Sequence, residues 1–237
     1  MTGGAVHGAV PLDMADSEPF PGLRELRREF LRIGAAHFGR YPWHLSADPF
    51  ALLVAEVLLQ RTKRVVVARV LPELLKVAPD AHSLGQMELT VLECIIWSTG
   101  LASRARRLRE LGNHLVALGG VPRDREALLS LPNVGPYVAD AVRLYAFGIA
   151  GFPLDRNVQR VLTRVFYGVE PDRKIAPYSD TDLVVLLGPL VEGLGPLEVR
   201  NIHQGVLAVA WDNCGPHPKQ SGCPLLAHCR FALRSSR

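Results

Sequence analysis

The sequence contains no long apolar run, although 48% of its 237 residues are hydrophobic. A membrane-spanning helix needs about eighteen or more consecutive apolar residues, and no stretch approaches that length. Residues 1–19 also lack a basic segment followed by an apolar one, so they predict a disordered tail and not a secretion signal. We therefore expect a cytoplasmic protein, without membrane insertion, that is long enough for two modest lobes.

Cysteine and lysine are also scarce. The chain has only four cysteines, and disulfides are not expected in the cytoplasm. Its formal net charge of +4 and its isoelectric point near 9.0 come mainly from arginine, with a cluster at Arg104, Arg106, Arg107 and Arg109. A guanidinium-rich face favours phosphate partners, although an ordinary solvated helix face can have the same composition.

The apolar residues recur mostly at helical spacing, and patterns typical of strands are hard to find. Asp48 followed by Pro49 predicts the start of a helix through FALLVAEVLLQRT. The region from Pro19 to about Phe38 is amphipathic, and other helices are predicted around 64–77, 87–97, 102–118, 124–131, 136–147, 156–167, 179–193 and 198–212. Connections are short, and no internal repeat is present. The sequence therefore predicts an all-α protein.

The stretch LPNVGPYVADAV, residues 131–142, interrupts this helical pattern sharply. Pro132 and Gly135 end one helix, and Pro136 begins the next at a position where its missing N–H costs nothing. The amides around Val134 to Tyr137 would then point outward from a positive helix end. Such a hairpin can hold a DNA backbone without reading sequence; an ordinary helical hairpin in a bundle is the alternative.

The hairpin and PLDRNVQRVLTRV, which follows it, resemble the helix-hairpin-helix and Gly/Pro-Asp segment of the endonuclease III superfamily of DNA glycosylases. The resemblance extends over roughly residues 24–232. It implies a two-lobed helix-hairpin-helix fold with a C-terminal Cys-rich loop. A six-helix lobe of 47–150, with its hairpin at about 124–147, would be inserted into a lobe built from 20–46 plus 151–237. A monomer acting on double-stranded DNA is expected.

Two carboxylates are the candidate acidic groups. Asp155 precedes a predicted helix, where it could simply cap the N-terminus; the resemblance makes it the catalytic aspartate, which stabilises a cationic sugar. Glu56 lies in the otherwise apolar FALLVAEVLL. A buried Glu must open onto a cleft, find a partner or take up a proton, whereas a narrow polar stripe would leave it in water. By resemblance, Glu56 assists by donating a proton or positioning water.

Tyr137 distinguishes two reaction types. In members similar to endonuclease III, a Lys at this position attacks C1′ and permits strand cleavage, but no Lys lies in 77–173. A phenol cannot form the Schiff base, so we predict a monofunctional enzyme in which Tyr137 shapes the base pocket. Packing of Tyr137 on the helical bundle is the structural alternative.

The resemblance also implies residues that contact DNA. A flipped base leaves a gap in the duplex, and Gln60 and Leu101 match the two wedge loops of the superfamily. Both could instead be ordinary surface residues. The full set of predicted DNA-binding residues is Gln60, Leu101, Arg61, Arg104, Val134, Gly135, Tyr137 and Asn157.

The C-terminal cysteines depart from the superfamily pattern C-x6-C-x2-C-x5-C. The chain has Cys214, Cys223 and Cys229, with Gln220 in place of the second cysteine; the remaining Cys94 is predicted in the core. Three interpretations stay open: a [4Fe–4S] cluster with His217, His228 or water as fourth ligand, a loop that has lost its cluster, or a zinc site. In each case, the role would be structural.

The predicted function is removal of thymine or uracil opposite guanine from a mismatched duplex, by hydrolysis of the N-glycosidic bond. Adenine removal opposite oxidised guanine is the nearest alternative, favoured by Glu56. Enzymes resembling that group usually carry a further C-terminal domain, whereas this chain stops after the cysteines. A lyase of the endonuclease III type is disfavoured by Tyr137, and a non-catalytic DNA-binding module is a third possibility.

Overall fold

The computed structural model describes residues 20, 22–44, 46, 48–100 and 104–235. About 68% of the chain is helical, and no strand occurs within these ranges. The α-helices are α1 Leu23–His37, α2 Pro49–Leu59, α3 Arg64–Val77, α4 Ala81–Gln86, α5 Leu89–Ile96, α6 Arg104–Ala117, α7 Arg125–Leu129, α8 Pro136–Phe147, α9 Arg156–Leu162, α10 Thr181–Val191, α11 Pro196–Asp212 and α12 Arg230–Ser235. The all-α prediction is confirmed. The predicted tail over 1–19 and Leu101 lie outside the described residues.

Helix α2 begins as its sequence predicts. The carboxylate of Asp48 accepts hydrogen bonds from the amides of Phe50 at 3.0 Å and Ala51 at 3.2 Å, with Pro49 at the first helical position. Every residue from Phe50 to Leu58 is buried, so this helix is surrounded by protein on all sides. A carboxylate on α2 is consequently forced to face other residues or an internal cavity.

The buried apolar residues form two clusters. The first cluster runs from Trp43 to Val142 and is built mainly from α2, α3, α5, α6 and α8. The second joins α1 to the chain after Leu144, with α9, α10 and α11 as its main parts. The division of the chain into lobes at about residue 150 stays a prediction: Leu144, assigned to the 47–150 lobe, belongs to the second cluster, and Trp43, assigned to the other lobe, belongs to the first.

Each cluster contains one very close approach between helices. In the second, a Cβ added to Gly34 of α1 would lie 1.7 Å from the carbonyl oxygen of Asn201, and one on Gly205 would lie 2.1 Å from that of Phe30. In the first, a Cβ added to Gly112 of α6 would lie 2.6 Å from the backbone nitrogen of Gly85 in α4. Glycine is required at these points because the backbones themselves are in contact.

Helices α7 and α8 form the predicted hairpin. The turn between them places Asn133 in the left-handed region, with φ of 64°, and the amide of Val134 donates to the carbonyl of Leu131 at 3.3 Å. Pro136 occupies the first position of α8, which ends at Gly148 in the left-handed conformation. The helix-hairpin-helix predicted over about 124–147 is confirmed.

Some details differ from the sequence prediction. The region predicted as a helix over 87–97 contains α5 only, with the separate short helix α4 before it. The helix predicted over 156–167 is α9 followed by a π-helical turn, Thr163–Tyr167. The expectation that Cys94 lies in the core is wrong, because α5 buries Leu92 and Ile96 and exposes its opposite side, which carries Cys94.

Candidate active site

A cavity of about 860 Å³ lies where the ends of several helices meet. Its walls come from the region before α2, the α2–α3 turn, the starts of α8 and α9, and one side of α11. The lining residues are Tyr41, Trp43, His44, Glu56, Leu59, Gln60, Arg61, Thr62, Lys63, Arg64, Val65, Gly135, Pro136, Tyr137, Val138, Tyr145, Leu154, Asp155, Asn157, Tyr178, Gln204, Leu207 and Trp211. The cavity therefore contains all three residues predicted to be catalytic.

Asp155 caps α9 and also faces this cavity. One carboxylate oxygen accepts the amides of Asn157 at 2.9 Å and Val158 at 2.8 Å, and the other accepts the side-chain amide of Asn157 at 2.8 Å. Asn157 is itself held by Arg160, whose guanidinium donates to its Oδ1 at 3.0 Å. These N–H groups and the positive end of α9 fix a carboxylate anion in one orientation. The two roles weighed for Asp155, helix cap and cavity group, are compatible.

Glu56 is the second carboxylate in the cavity wall. It is only 7% exposed, and it borders the cavity from the otherwise buried helix α2. Burial and, to a smaller extent, the nearby negative charge of Asp155 together raise the pKa of Glu56 to about 8. At neutral pH Glu56 is therefore mostly a protonated acid able to donate, whereas the hydrogen-bonding around Asp155 suits an anion.

Tyr137 and Tyr145 extend from α8 toward α11. Burial, together with the proximity of Glu56, raises the pKa of both phenols well above the ordinary value, so both stay neutral. The Tyr145 hydroxyl accepts from Nε2 of Gln204 at 2.7 Å and lies 2.6 Å from Nδ1 of His203. Burial lowers the pKa of His203 to about 3, so this contact joins two neutral groups.

The α2–α3 turn carries Gln60 and Arg61 at the cavity. Arg61 is exposed, with φ of 57°, and Nε2 of Gln60 donates to the carbonyl of Asn133 at 2.8 Å. Arg107 of α6 donates to the side-chain oxygen of Asn133 at 3.1 Å. Asn133 thereby joins the α2–α3 turn and α6 to the hairpin, and no local sequence pattern beyond the turn itself indicates this role.

Arg104 is largely buried and is bonded to the end of α2. The residue is 7% exposed, and its guanidinium donates to the carbonyl of Leu58 at 2.9 Å and to the hydroxyl of Thr62 at 2.6 Å. It closes the C-terminal end of α2 and holds the turn that follows. Nη1 of Arg104 therefore has a structural role inside the protein, and the predicted DNA contact of this residue stays a prediction.

The hairpin has fewer free backbone amides than the sequence predicts. Val134 is buried and its amide bonds to Leu131 within the turn, and Pro136 has no N–H. The predicted free amide of Val134 is therefore corrected, while Gly135 and Tyr137 remain the candidates at the start of α8. A Cβ on Gly135 would meet nothing within 4 Å, so this point of the hairpin is open to approach.

One wall of the cavity was not predicted. The guanidinium of Arg64 stacks on the indole of Trp211, 3.3 Å from the ring centroid, and its Nη1 has no partner within the described part of the chain. Nδ1 of His44 and Oε1 of Gln204 are likewise buried without partners there. Burial lowers the pKa of His44 to about 4. Sequence patterns did not reveal this group because its members come from distant segments.

The cysteine segment does not supply the donors of an iron–sulfur cluster. Four thiolates normally hold such a cluster, whereas three cysteines are present here and Sγ of Cys214 already lies 3.4 Å from a guanidinium nitrogen of Arg164. Burial, and the neighbouring Cys229 and Cys214, raise the pKa of Cys223, which disfavours the thiolate. Within the described ranges no three His, Cys, Asp or Glu side chains are arranged to hold a metal ion, His217 and His228 included.

Arg164 organises this segment instead. Its side chain is almost fully buried and donates to the carbonyls of Gly215 at 2.7 Å and Pro216 at 3.2 Å. The same guanidinium pairs with Glu170 at 2.7 Å, while Arg160 donates to the carbonyl of Cys214 at 2.7 Å. Hydrogen bonds from two arginines thus fix the chain around Cys214.

The fold and the cavity together define a helix-hairpin-helix protein in which Asp155 caps a helix beside the hairpin. The chain matches the HhH-GPD superfamily of base excision DNA repair proteins over residues 54–177 and belongs to that superfamily. A thymine/uracil-DNA glycosylase of Pyrobaculum aerophilum is 37% identical over 201 residues, which cover 83% of this chain and 86% of that protein. The human adenine DNA glycosylase is 31% identical over 81% of this chain, but over only 37% of its own length.

Solved structures give the same assignment. A thermostable thymine-DNA glycosylase superposes with a TM-score of 0.77 at 27% identity, covering 90% of this chain and 99% of that one. A trapped endonuclease III–DNA covalent intermediate superposes with a TM-score of 0.70 at 26% identity, covering 91% and 99%. The predicted fold class and superfamily are therefore confirmed. In the described ranges no helix has the length and apolar character needed to cross a membrane.

Proposed function

We propose that this protein is a monofunctional DNA glycosylase that removes thymine or uracil opposite guanine from a mismatched duplex. The observation that carries the proposal is the presence of Asp155, Glu56 and Tyr137 in the wall of one cavity at the start of the hairpin helix α8. The homologous thymine/uracil-DNA glycosylase supports the choice of base. The protein would act as a cytoplasmic monomer on double-stranded DNA.

The reaction is a hydrolysis in which the bond from C1′ of the sugar to the base nitrogen breaks and a bond from C1′ to a water oxygen forms. Asp155, held as an anion by three N–H groups, stabilises the positive charge that develops on the sugar or orients the water. Glu56, protonated at neutral pH, donates a proton to the departing base. The attacking water releases a proton to solvent and Glu56 takes one up from solvent, so the products are a free base and an abasic site and the acid is restored.

Tyr137 supports hydrolysis without strand cleavage. A lyase requires an amine that forms a Schiff base with C1′, and the side chain at the start of α8 is a neutral phenol. We propose that Tyr137 lies against the flipped base, with Gly135 approached by the backbone phosphate. Gln60, Arg61 and Asn157 line the same cavity, and we propose that they contact the DNA around the flipped nucleotide. The proposed wedge role of Leu101 concerns a residue outside the described ranges.

Adenine removal opposite oxidised guanine is the second candidate, because a buried, protonated Glu56 is suited to protonating a purine base and a human adenine DNA glycosylase is 31% identical. No step of either reaction passes through a metal. We propose that the cysteine segment has only a structural role; of its open interpretations, the donor set fits a cluster-free loop better than an iron–sulfur or zinc site.

The test is base release from four duplexes, containing G·T, G·U, adenine opposite oxidised guanine, or an oxidised pyrimidine, each analysed with and without alkali. The proposal expects strand breaks from G·T and G·U only after alkali. Activity confined to the adenine mispair would favour the second candidate. Strand breaks without alkali, or a covalent adduct trapped by borohydride, would contradict the absence of lyase activity, and DNA binding without any base release would indicate a binding module.

A further inference from the structure

Tyr178 lies in a short 3-10 turn, Pro177–Ser179, and lines the cavity that contains Asp155. Its hydroxyl has two partners from different parts of the chain. It donates to Oδ2 of Asp140 at 2.6 Å, and it accepts from the backbone amide of Leu154 at 3.2 Å. Leu154 immediately precedes Asp155, so a single phenol connects α8 to the backbone that presents the candidate catalytic carboxylate.

Asp140 fixes the hairpin end of this connection. It is 6% exposed and lies on α8, one turn after Tyr137. From α7, Arg125 donates Nε to Oδ1 at 2.8 Å and Nη2 to Oδ2 at 3.3 Å. This paired geometry is the strong arrangement of a guanidinium and a carboxylate. Asp140 therefore joins both helices of the hairpin and offers a fixed acceptor to Tyr178.

The turn that carries Tyr178 is held independently on the other side. Arg156, in the first turn of α9, donates to the carbonyls of Ile175 at 2.5 Å and Arg173 at 3.0 Å. Gln159 donates to Ile175 at 3.2 Å and to the carboxylate of Asp180 at 2.7 Å. The turn is thus bonded to α9, the helix that Asp155 caps, as well as to the hairpin.

We propose that Tyr178 is a positioning residue that sets the distance between the hairpin and the segment leading into Asp155. The inference rests on the proposed glycosylase function. If the hairpin binds a DNA phosphate, the distance from that phosphate to the backbone at Leu154 determines whether the carboxylate of Asp155 can reach C1′ of the sugar. Misplacement of a catalytic group by about 1 Å can lower a rate by about 100-fold, so one buried hydroxyl at this junction can control turnover without contacting the substrate.

Tyr178→Phe removes the hydroxyl and keeps the ring. The expected result is a fall of about 10-fold or more in the single-turnover rate of base release from a G·U duplex, within the range for a displaced catalytic group, while the dissociation constant for the duplex stays within about twofold. If Tyr178 acted in DNA binding, the variant would bind the duplex more weakly. If its role were purely structural, the variant would have a lower melting temperature but would not combine a slower rate with an unchanged dissociation constant.

Tyr167→Phe is the matched control. The Tyr167 hydroxyl also forms one bond to the main chain, to the carbonyl of Asp182 at 2.8 Å, but Tyr167 does not line the cavity. Both variants are expected to lose a few degrees of melting temperature, about what one hydrogen bond contributes. Only Tyr178→Phe should lose rate. Equal rate losses in the two variants, or none in either, would overturn the proposal.

A second measurement does not depend on catalysis. The amide of Leu154 bonds to the Tyr178 hydroxyl, so Tyr178→Phe is expected to speed hydrogen exchange in a peptide spanning 152–158, with Tyr167→Phe unchanged there. Exchange equal to the wild type would overturn the positioning role. If the wild type released no base from any duplex, the proposed function would fail, and the exchange difference would still decide whether Tyr178 holds this segment.

Discussion

Asp155 and the cysteine segment around 214–229 both resemble motifs of the superfamily, but their local chemistry differs. At Asp155 the carboxylate is present, three N–H groups hold it, and it faces the cavity beside Glu56. In the cysteine segment one of the four expected cysteines is replaced by Gln220, and the backbone of the loop is held by Arg164 and Arg160.

The difference follows from what each region does. Stabilising a sugar cation needs a negative charge at one place, and no set of hydrogen bonds from arginine can substitute for it. Holding a loop needs only enough satisfied polar groups and packing, which several different residues can supply. The comparison therefore predicts that variants of the two regions will affect different properties, activity in one and stability in the other.

Asp155→Asn is expected to have the largest effect on activity. Asparagine still caps a helix, so the fold and DNA binding should persist, but the negative charge is lost. Base release should fall by about 100- to 1000-fold, the range seen when one electrostatic group is removed from an active site. The measurement is single-turnover base release from G·U, with melting temperature as control. A variant that retained most of its rate would remove Asp155 from the mechanism.

Arg164→Met is expected to have the largest effect on stability. The substitution removes the donor to the carbonyls of Gly215 and Pro216 and to the carboxylate of Glu170, and each hydrogen bond contributes about 0.5–1.5 kcal/mol. We expect the free energy of unfolding in urea to fall by about 2–4 kcal/mol. Arg28→Met, which removes a solvent-exposed arginine from α1, should change it by less than about 0.5 kcal/mol. Similar values for both variants would contradict the role assigned to Arg164.

Glu56→Gln is expected to change how stability depends on pH. The pKa of Glu56 is raised from its ordinary value of 4.5 to about 8 in the folded protein, so between these values the folded protein binds more protons than the unfolded chain. The free energy of unfolding contributed by this group must then fall as pH rises from about 4.5 to 8. Urea titrations at pH 5, 6.5 and 8 give the slope of the free energy of unfolding against pH, and this slope should be smaller in the variant. If the slope were unchanged, Glu56 would be exposed to water in the folded protein.

Replacement of Cys214, Cys223 and Cys229 by serine is expected to have the smallest effect. If arginine hydrogen bonds hold the segment, base release should be unchanged and the free energy of unfolding should fall by about 1–2 kcal/mol, as for ordinary core changes. Iron and zinc content of the wild-type protein, measured in parallel, gives the independent check. Stoichiometric metal in the wild type, with loss of folding in the variant, would show that the segment depends on a metal site.

Helix ends that depend on neighbouring residues could be predicted from the sequence. Asp48 with Pro49, and the Pro132 to Pro136 stretch, fix helix ends through their own backbone chemistry, and the structure places both as predicted. Arg104 shows the limit, because an arginine in a basic cluster gives no local indication that Leu58 and Thr62 will use its donors. The polar cavity wall formed by His44, Arg64 and Gln204 could not be predicted either, since only tertiary packing brings these segments together.

The central claim is that one cavity contains an anionic Asp155 and a protonated Glu56 that acts as an acid. The most direct test is the pH dependence of single-turnover base release from G·U for the wild type and Glu56→Gln. The wild-type rate is expected to fall as pH rises through about 8, the pKa of Glu56, and the variant is expected to be slower at pH 7 and to lack this fall. Parallel profiles of equal rate would contradict a catalytic role for Glu56.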